Sequence, residues 1–193
     1  MKKQILSALL LSFLTITSVN AQSKKIKTTE AVFIQGGKTG DEAFGTTKPD
    51  VILVARSNTN THWSRTGLLK FKFPKEIQSL KSVDINIPIK VYKNSENPDL
   101  KFSLDVQAVS ENTWSKTTIT WNNAPKLENV LGNLLLDQSL DDKLSMVTIK
   151  LDAKAVESLL KKSKDGEITL ALTNNVSTAL GSIVGRDSYL TIE

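Results

Sequence analysis

The sequence has 193 residues, a net charge of +5, no Cys and a single His. The absence of Cys excludes disulfide bonds and every mechanism that needs a thiol, and one His cannot build an ordinary zinc site. The mild positive charge is not the strong footprint of a dedicated nucleic-acid-binding protein.

The first 21 residues have the features of a secretory signal peptide. Met1-Lys2-Lys3 is charged, residues 5–17 are apolar and rich in Leu, and Val19-Asn20-Ala21 ends in a small residue suited to cleavage. The apolar run is shorter than a typical membrane span. We therefore predict cleavage near Ala21 and a secreted, periplasmic or extracellular protein. The remaining 172 residues, with a net charge of +3, suit one domain.

After a polar, basic leader at residues 22–29, apolar and polar residues alternate as they do in β-strands. Val83, Ile85 and Ile87, for example, fall on one face of a strand, and Asp84 and Asn86 fall on the other. Turn sequences such as GGKTGD, SNTNTH, NNAP and GRDS separate the alternating segments. The pattern predicts strands at residues 30–35, 51–56, 66–73, 81–93, 102–110, 117–121, 145–151, 167–173, 180–184 and 188–192.

One segment, residues 152–163, has helical spacing instead. Its apolar residues recur three and four positions apart, Asp152 suits the N-cap, and Lys161 and Lys162 suit the C-terminal end. A short helix among about ten strands predicts an all-β fold, a jelly-roll-like antiparallel β-sandwich with one domain at residues 30–193.

Three motifs resemble a known family. They are RTGLLKFKF at residues 65–73, WSKTTITWNNAP at 114–125 and GRDSYLTI at 185–192, and the second is the most specific. The sequence from residue 30 to the end is similar to the DNRLRE-domain family, also called carbohydrate-binding module family ninety-six. Relatives usually carry the module attached to a lyase or another extracellular protein. This sequence has the module alone and has Asp187 where Glu is usual.

The resemblance implies a β-sandwich with a non-catalytic role in binding uronate-rich polysaccharides such as alginate. It also implies a partner of that kind, an acidic polysaccharide, with a separate polysaccharide-degrading enzyme as a further expected partner. We expect no nucleic-acid partner and no cofactor. A structural calcium ion is an alternative, because Asp41, Glu42 and Asp50 lie in one loop, although their spacing matches no known calcium loop.

The tryptophans have different expected roles. Trp121 follows Ile119 at strand spacing, so both should point inward, and Trp114 should plug one end of the sandwich with its N–H bonded to the backbone. Trp63 lies in a polar loop beside His62, where an exposed ring suits ligand binding. The alternative is that Trp63 folds back onto the edge of the sandwich.

Outward-facing basic residues complete the predicted ligand site, since Arg and Lys suit the carboxylates of an acidic polysaccharide. The alternative for these lysines is an ordinary solvated strand face. Arg65 and Arg186 have a second possible role in holding a buried acid such as Glu30 or Asp187. The predicted ligand-binding residues are Arg56, His62, Trp63, Arg65, Lys70, Lys72, Lys90 and Tyr92.

An enzyme needs a concentrated site, and the sequence places no catalytic group on an apolar strand face. Tyr92, Tyr189 and the single His are not brought together by any motif. We therefore predict a non-enzymatic protein that binds anionic polysaccharide. A cell-surface or matrix module that binds a protein partner is the alternative.

Overall fold

The computed structural model describes residues 23–49, 51–77, 79–141, 143–175, 180–184 and 186–193. The predicted signal peptide lies outside these residues. The described residues form ten strands: β1 (Lys24–Gln35), β2 (Ile52–Ala55), β3 (Arg65–Lys72), β4 (Val83–Val91), β5 (Phe102–Val109), β6 (Leu127–Leu136), β7 (Ser145–Lys150), β8 (Glu167–Asn174), β9 (Gly181–Val184) and β10 (Tyr189–Ile192).

Two helices and two 3₁₀ turns complete the described structure. They are α1 (Phe44–Thr47), α2 (Ala153–Lys162) and the turns Gly37–Thr39 and Thr61–Trp63. The predicted helix is confirmed as α2, where Asp152 caps the first turn by accepting bonds from two backbone N–H groups. Among the described helices, none is both long and apolar enough to cross a membrane.

The strands pair antiparallel in two layers. In the first layer β3 pairs with β8, β8 with β5, and β5 with β6. In the second layer β4 pairs with β7 on one side and with β9 and β10 on the other. β1 and β2 join the layers: β1 pairs first with β10 and then with β3, and β2 pairs with β9 and meets β3. The predicted jelly-roll-like antiparallel β-sandwich is confirmed.

The main core fills the space between the layers. Leu69 and Phe71 of β3 enter it from one side, and Ile85 and Ile87 of β4 enter it from the other, all fully buried. These residues alternate along their strands as the sequence predicted, because successive side chains of a strand point to opposite faces. Val156 of α2 packs into the same cluster and is fully buried.

A second apolar cluster lies on the outer face of the first layer. Residues 110–126, here called the covering segment, cross that face and bury Trp114 and Ile119 against Leu68 and Ala171. The indole N–H of Trp114 donates to the hydroxyl of Thr169 at 2.9 Å, so its partner is a side chain rather than the predicted backbone. Trp121 is half-buried against the same cluster.

The covering segment overturns the prediction that Lys70 faces outward. Lys70 is 5% exposed, and its ammonium donates to the Trp114 carbonyl at 2.5 Å and to Glu30 at 3.1 Å. Asp105 is buried and accepts bonds from the side chains of Asn133 and Asn175. The alternation assigned the correct face, but that face is the floor of a second core.

Three local predictions also need correction. Residues 24–29, predicted as a polar leader, form the first half of β1. Residues 117–121 are not a strand, because the carbonyl of Ser115 accepts bonds from the next turn and the Asn123 side chain bonds both Thr118 and Thr120. The strand β6 was not predicted, since its apolar residues do not alternate cleanly and include Gly132.

Candidate functional site

A groove of about 740 Å³ opens at the end of the sandwich where β2, β9 and the start of β3 meet. The loop after β2 forms one wall, and Tyr92, the first residue after β4, forms the other. Four of the eight predicted ligand-binding residues line this groove: Arg56, Trp63, Arg65 and Tyr92. They come from three separate parts of the chain, which the fold brings together.

The loop that carries Trp63 is held by its own side chains. Asn60 caps the 3₁₀ turn by accepting a bond from the His62 N–H at 2.9 Å, and the Ser57 hydroxyl accepts a bond from the Asn60 N–H at 3.1 Å. The Ser57 N–H donates in turn to the Ser64 hydroxyl, which closes the loop. The turn presents the Trp63 ring to solvent, with 56% of the residue exposed.

Arg65 lies beside the Trp63 ring, with its guanidinium carbon 5.6 Å from the ring centre. Its Nε donates to the Gln35 side chain at 2.9 Å, and its Nη1 donates to the Trp63 carbonyl at 3.3 Å. Neither bond uses Nη2. Burial lowers the pKa of Arg65, and the nearby Tyr92 opposes that change. The guanidinium stays charged at neutral pH, because an arginine pKa starts far above neutrality.

Arg56 supplies a second cation to the groove. Its Nη1 donates to the backbone carbonyl of Asn175 at 2.7 Å, which orients the guanidinium and leaves its other N–H groups outside that bond. Among the described residues that line the groove, none is Asp or Glu. The two guanidinium groups therefore face the groove without a carboxylate in the described part of its lining.

Three apolar residues and Ser182 line the floor of the groove. The apolar residues are Leu53, Val54 and Leu180, of which Val54 is fully buried. Ser182 is 1% exposed, and its oxygen has no hydrogen-bond partner among the described residues. A buried hydroxyl without a partner is costly to the fold, and this oxygen is closed to solvent in the groove. Sequence reasoning did not single out Ser182, because strand alternation marks it only as a small residue on the inner face.

The other predicted ligand-binding residues lie elsewhere. Lys70 is buried in the second core, which contradicts its prediction as a ligand-binding residue. Lys72 is exposed at the far end of β3 and pairs with Asp165 and Glu167, each at 3.5 Å. Lys90 lies next to the groove, with its ammonium 5.5 Å from the Tyr92 ring centre, and His62 supports the Trp63 ring edge-on at 5.2 Å.

The buried-acid alternative for Arg65 does not hold for Glu30. Lys70 supplies a cation to Glu30, and Arg65 bonds Gln35 instead. The suggested calcium loop includes Asp50, which lies outside the described residues. The carboxylate of Asp41 accepts a bond from the Asn122 side chain, and the described residues contain no group of three metal-ligating side chains.

Comparison with known families identifies the class of protein as a carbohydrate-binding module. The model of carbohydrate-binding module family 96 matches residues 22–184. Because this match covers most of the sequence, the chain belongs to carbohydrate-binding module family 96. The resemblance stated from the three sequence motifs is thereby confirmed.

The fold is also similar to solved structures at low sequence identity. The K1 cleaved adhesin domain of Lys-gingipain from Porphyromonas gingivalis is 7% identical, with a TM-score of 0.38, and the alignment covers 89% of this chain and 98% of that chain. The family 30 carbohydrate-binding module of a cellulosomal cellulase from Clostridium thermocellum is 11% identical, with a TM-score of 0.35 and the same coverage. With TM-scores this low, neither similarity bears on function. No curated protein matches the sequence.

Proposed function

We propose that this chain is a secreted, non-catalytic protein that binds anionic, uronate-containing polysaccharide such as alginate in the groove. Membership of a carbohydrate-binding family supports a polysaccharide ligand. The predicted signal peptide at residues 1–21 supports export. One observation carries the proposal of an acidic ligand: two arginines and two exposed aromatic rings share a groove without acidic residues in its described lining.

Binding in the groove follows from the chemistry of its walls. A sugar ring presents a face of C–H bonds, which packs on the exposed face of Trp63, and Tyr92 contacts the sugar from the opposite wall. Arg65 and Arg56 donate charge-assisted bonds to a uronate carboxylate, because the planar guanidinium matches two carboxylate oxygens.

The same lining supports a binding role rather than a catalytic one. Glycoside hydrolysis needs a pair of carboxyl groups on either side of the bond, and no Asp or Glu occurs among the described residues of the lining. Hydrolysis of the glycosidic bond would therefore be the task of a separate polysaccharide-degrading enzyme. Incubation with alginate is expected to give no new absorbance from unsaturated uronate. Appearance of that absorbance would refute the non-catalytic role.

The first test is retention of chain 22–193 on immobilised polysaccharides. The panel holds alginate, pectate, a sulfated glycan, cellulose and xylan, each at about 0.1 M and about 1 M salt. We expect retention on the uronate polymers that weakens at high salt. W63A should weaken binding at least about tenfold, whereas M146A, which also truncates an exposed apolar residue, should not.

Each outcome decides between functions. Retention on a neutral polymer would keep the carbohydrate-binding role and refute the acidic ligand. No retention on any polymer would refute the proposal and leave a module that binds a protein partner. We also propose that no cofactor is needed, so EDTA should change neither retention nor thermal unfolding. A lower unfolding temperature in EDTA would instead support a structural calcium ion near Asp41.

A further inference from the structure

A second cavity, of about 480 Å³, opens on another part of the surface, where β1 leaves β10 and joins β3. The pairing register of β1 shifts between Thr28 and Glu30 at this point, and the irregular backbone makes room for the cavity. We call this cavity the basic cleft. Its charged lining residues are Lys25, Lys27, Glu30, Lys116, Arg186 and Asp187.

Hydrogen bonds between separate parts of the chain fix the walls of the basic cleft. The Thr28 hydroxyl lies within hydrogen-bond distance of the carbonyl oxygens of Arg186 and Ser188, at 3.0 and 3.1 Å, and so ties the turn before β10 to β1. Glu30 accepts a bond from the Lys116 backbone N–H at 2.8 Å, which ties the covering segment to the same strand. The cleft is therefore formed before any ligand binds.

The charges of the basic cleft favour an anion. Among the described residues of its lining, four carry cationic side chains and two carry acidic ones. One of the two acids, Glu30, is already paired with the buried ammonium of Lys70 at 3.1 Å. The Lys25 ammonium lies 3.3 Å from the centre of the Tyr189 ring, and this contact holds the charge at the rim of the cleft. A cleft lined mainly by one sign of charge concentrates ligands of the opposite sign.

We infer that the basic cleft is a second binding site for a carboxylate-bearing sugar residue. The choice of ligand rests on the proposed function, while the site rests on the cleft itself. Its lining contains no aromatic residue among those described, so binding there depends on charge rather than on stacking. Lysine acts as a point charge, without the two-pronged fit of arginine. Binding in the cleft should therefore be weaker and more sensitive to salt than binding in the groove.

The two sites are too far apart to hold the same sugar residue. Lys27 of the cleft and Gln35, which bonds Arg65 in the groove, lie eight residues apart on β1, or roughly 25 Å at the rise of a strand. One long polysaccharide can reach both sites, or two polysaccharides can bind one protein. Two linked contacts raise the apparent affinity for a polymer above that for a short oligosaccharide.

The test is a calorimetric titration of chain 22–193 with a short uronate trisaccharide. We expect two trisaccharides per chain at about 0.1 M salt and one at about 1 M, because salt screens the charge-dependent site. K27Q/K116Q should bind one trisaccharide at low salt, with the affinity of the groove unchanged. W63A should also bind one trisaccharide, in the cleft, and that binding should be lost at high salt. The control K150Q/K154Q removes two exposed lysines elsewhere and should still bind two.

The outcomes separate this inference from the proposed function. A wild-type stoichiometry of one that W63A abolishes would overturn the second site and leave the groove intact. A stoichiometry of one that K27Q/K116Q abolishes would support the cleft and overturn the groove. Absence of any binding would overturn both sites. If K150Q/K154Q loses as much binding as K27Q/K116Q, the effect comes from net charge and not from the cleft. A sulfated trisaccharide that binds the cleft equally well would overturn the preference for carboxylate.

Discussion

Replacing Lys70 by Met tests whether this lysine is structural, as the fold indicates, or ligand-binding, as the sequence suggested. Met keeps most of the apolar stem of Lys but removes the ammonium. The ammonium donates to the Trp114 carbonyl and to Glu30, and it lies 4.4 Å from the centre of the Trp114 ring. It thus links β3, β1 and the covering segment at one point.

The expected cost follows from burial. Removing one partner of a fully buried ion pair costs about 3–5 kcal/mol, because the remaining charge stays buried without a partner. Here the Lys70 side chain is 6% exposed but that of Glu30 is 27% exposed, and Glu30 keeps its bond from the Lys116 N–H. The cost should therefore be nearer 2–3 kcal/mol, equivalent to a fall in melting temperature of roughly 5–10 °C.

Urea unfolding of wild type, K70M and K72M measures this effect. Lys72 is the matched control, since it lies two residues further along β3 and forms ion pairs with its side chain 45% exposed. K72M should lose less than about 0.5 kcal/mol. In K70M/E30Q part of the loss should be recovered, and folded K70M should retain polysaccharide like wild type. Equal losses in K70M and K72M would refute the reasoning, as would lost retention by folded K70M.

Three further predictions concern stability. The Lys161 ammonium and a backbone N–H lower the pKa of Glu157. The contribution of Glu157 to stability is therefore present above about pH 4.3 and is lost as pH falls through the lowered pKa. The stability difference between wild type and E157Q, measured by urea unfolding at pH 7 and pH 3, should shrink at the lower pH. G45A should unfold more easily by at least about 2 kcal/mol, since its added methyl group would lie 2.0 Å from the Lys116 carbonyl oxygen; unchanged stability would contradict this close packing. W114F should lose about 1–2 kcal/mol of stability, because it leaves the buried Thr169 hydroxyl without its donor. If the same change costs as much in a T169V background, where the hydroxyl is gone, the loss comes from the shape of the ring and not from the hydrogen bond.

The strands of the main core were predictable because burial on one face leaves a period of two in the sequence. Ile85 and Ile87 on β4, and Leu69 and Phe71 on β3, follow that period without interruption. The helix α2 was predictable for a similar reason, because Asp152 and the apolar spacing both indicate its start. In each case the local pattern and the tertiary contacts favour the same structure.

The second core was not predictable from alternation alone. Lys70 alternates with apolar residues as a solvent-facing lysine does, and nothing local indicates that Trp114 will lie over it. The polar side chains of the covering segment also misled the strand prediction. Asn123 bonds Thr118 and Thr120 locally and so replaces the strand bonds that two threonines usually favour.

The candidate site was predictable in part. Trp63 stood out because a large aromatic residue occurred in a polar loop, and the structure places it in the wall of the groove. The convergence of Tyr92 and Arg56 on the same groove depends on how β4 and β2 both reach β9. That arrangement depends on pairing between strands that are distant in the sequence, which no short motif indicates.

The position of the groove explains how the fold carries a charged residue on its inner face. Arg65 lies on the same side of β3 as Leu69 and Phe71, but at the first residue of the strand, where the space between the layers opens to the groove. A guanidinium there keeps its bonds to Gln35 and its access to solvent, so it need not be neutralised within the core. Stability and the proposed binding therefore fall to different residues of one strand: Lys70 is buried among its partners, and Arg65 opens to the groove.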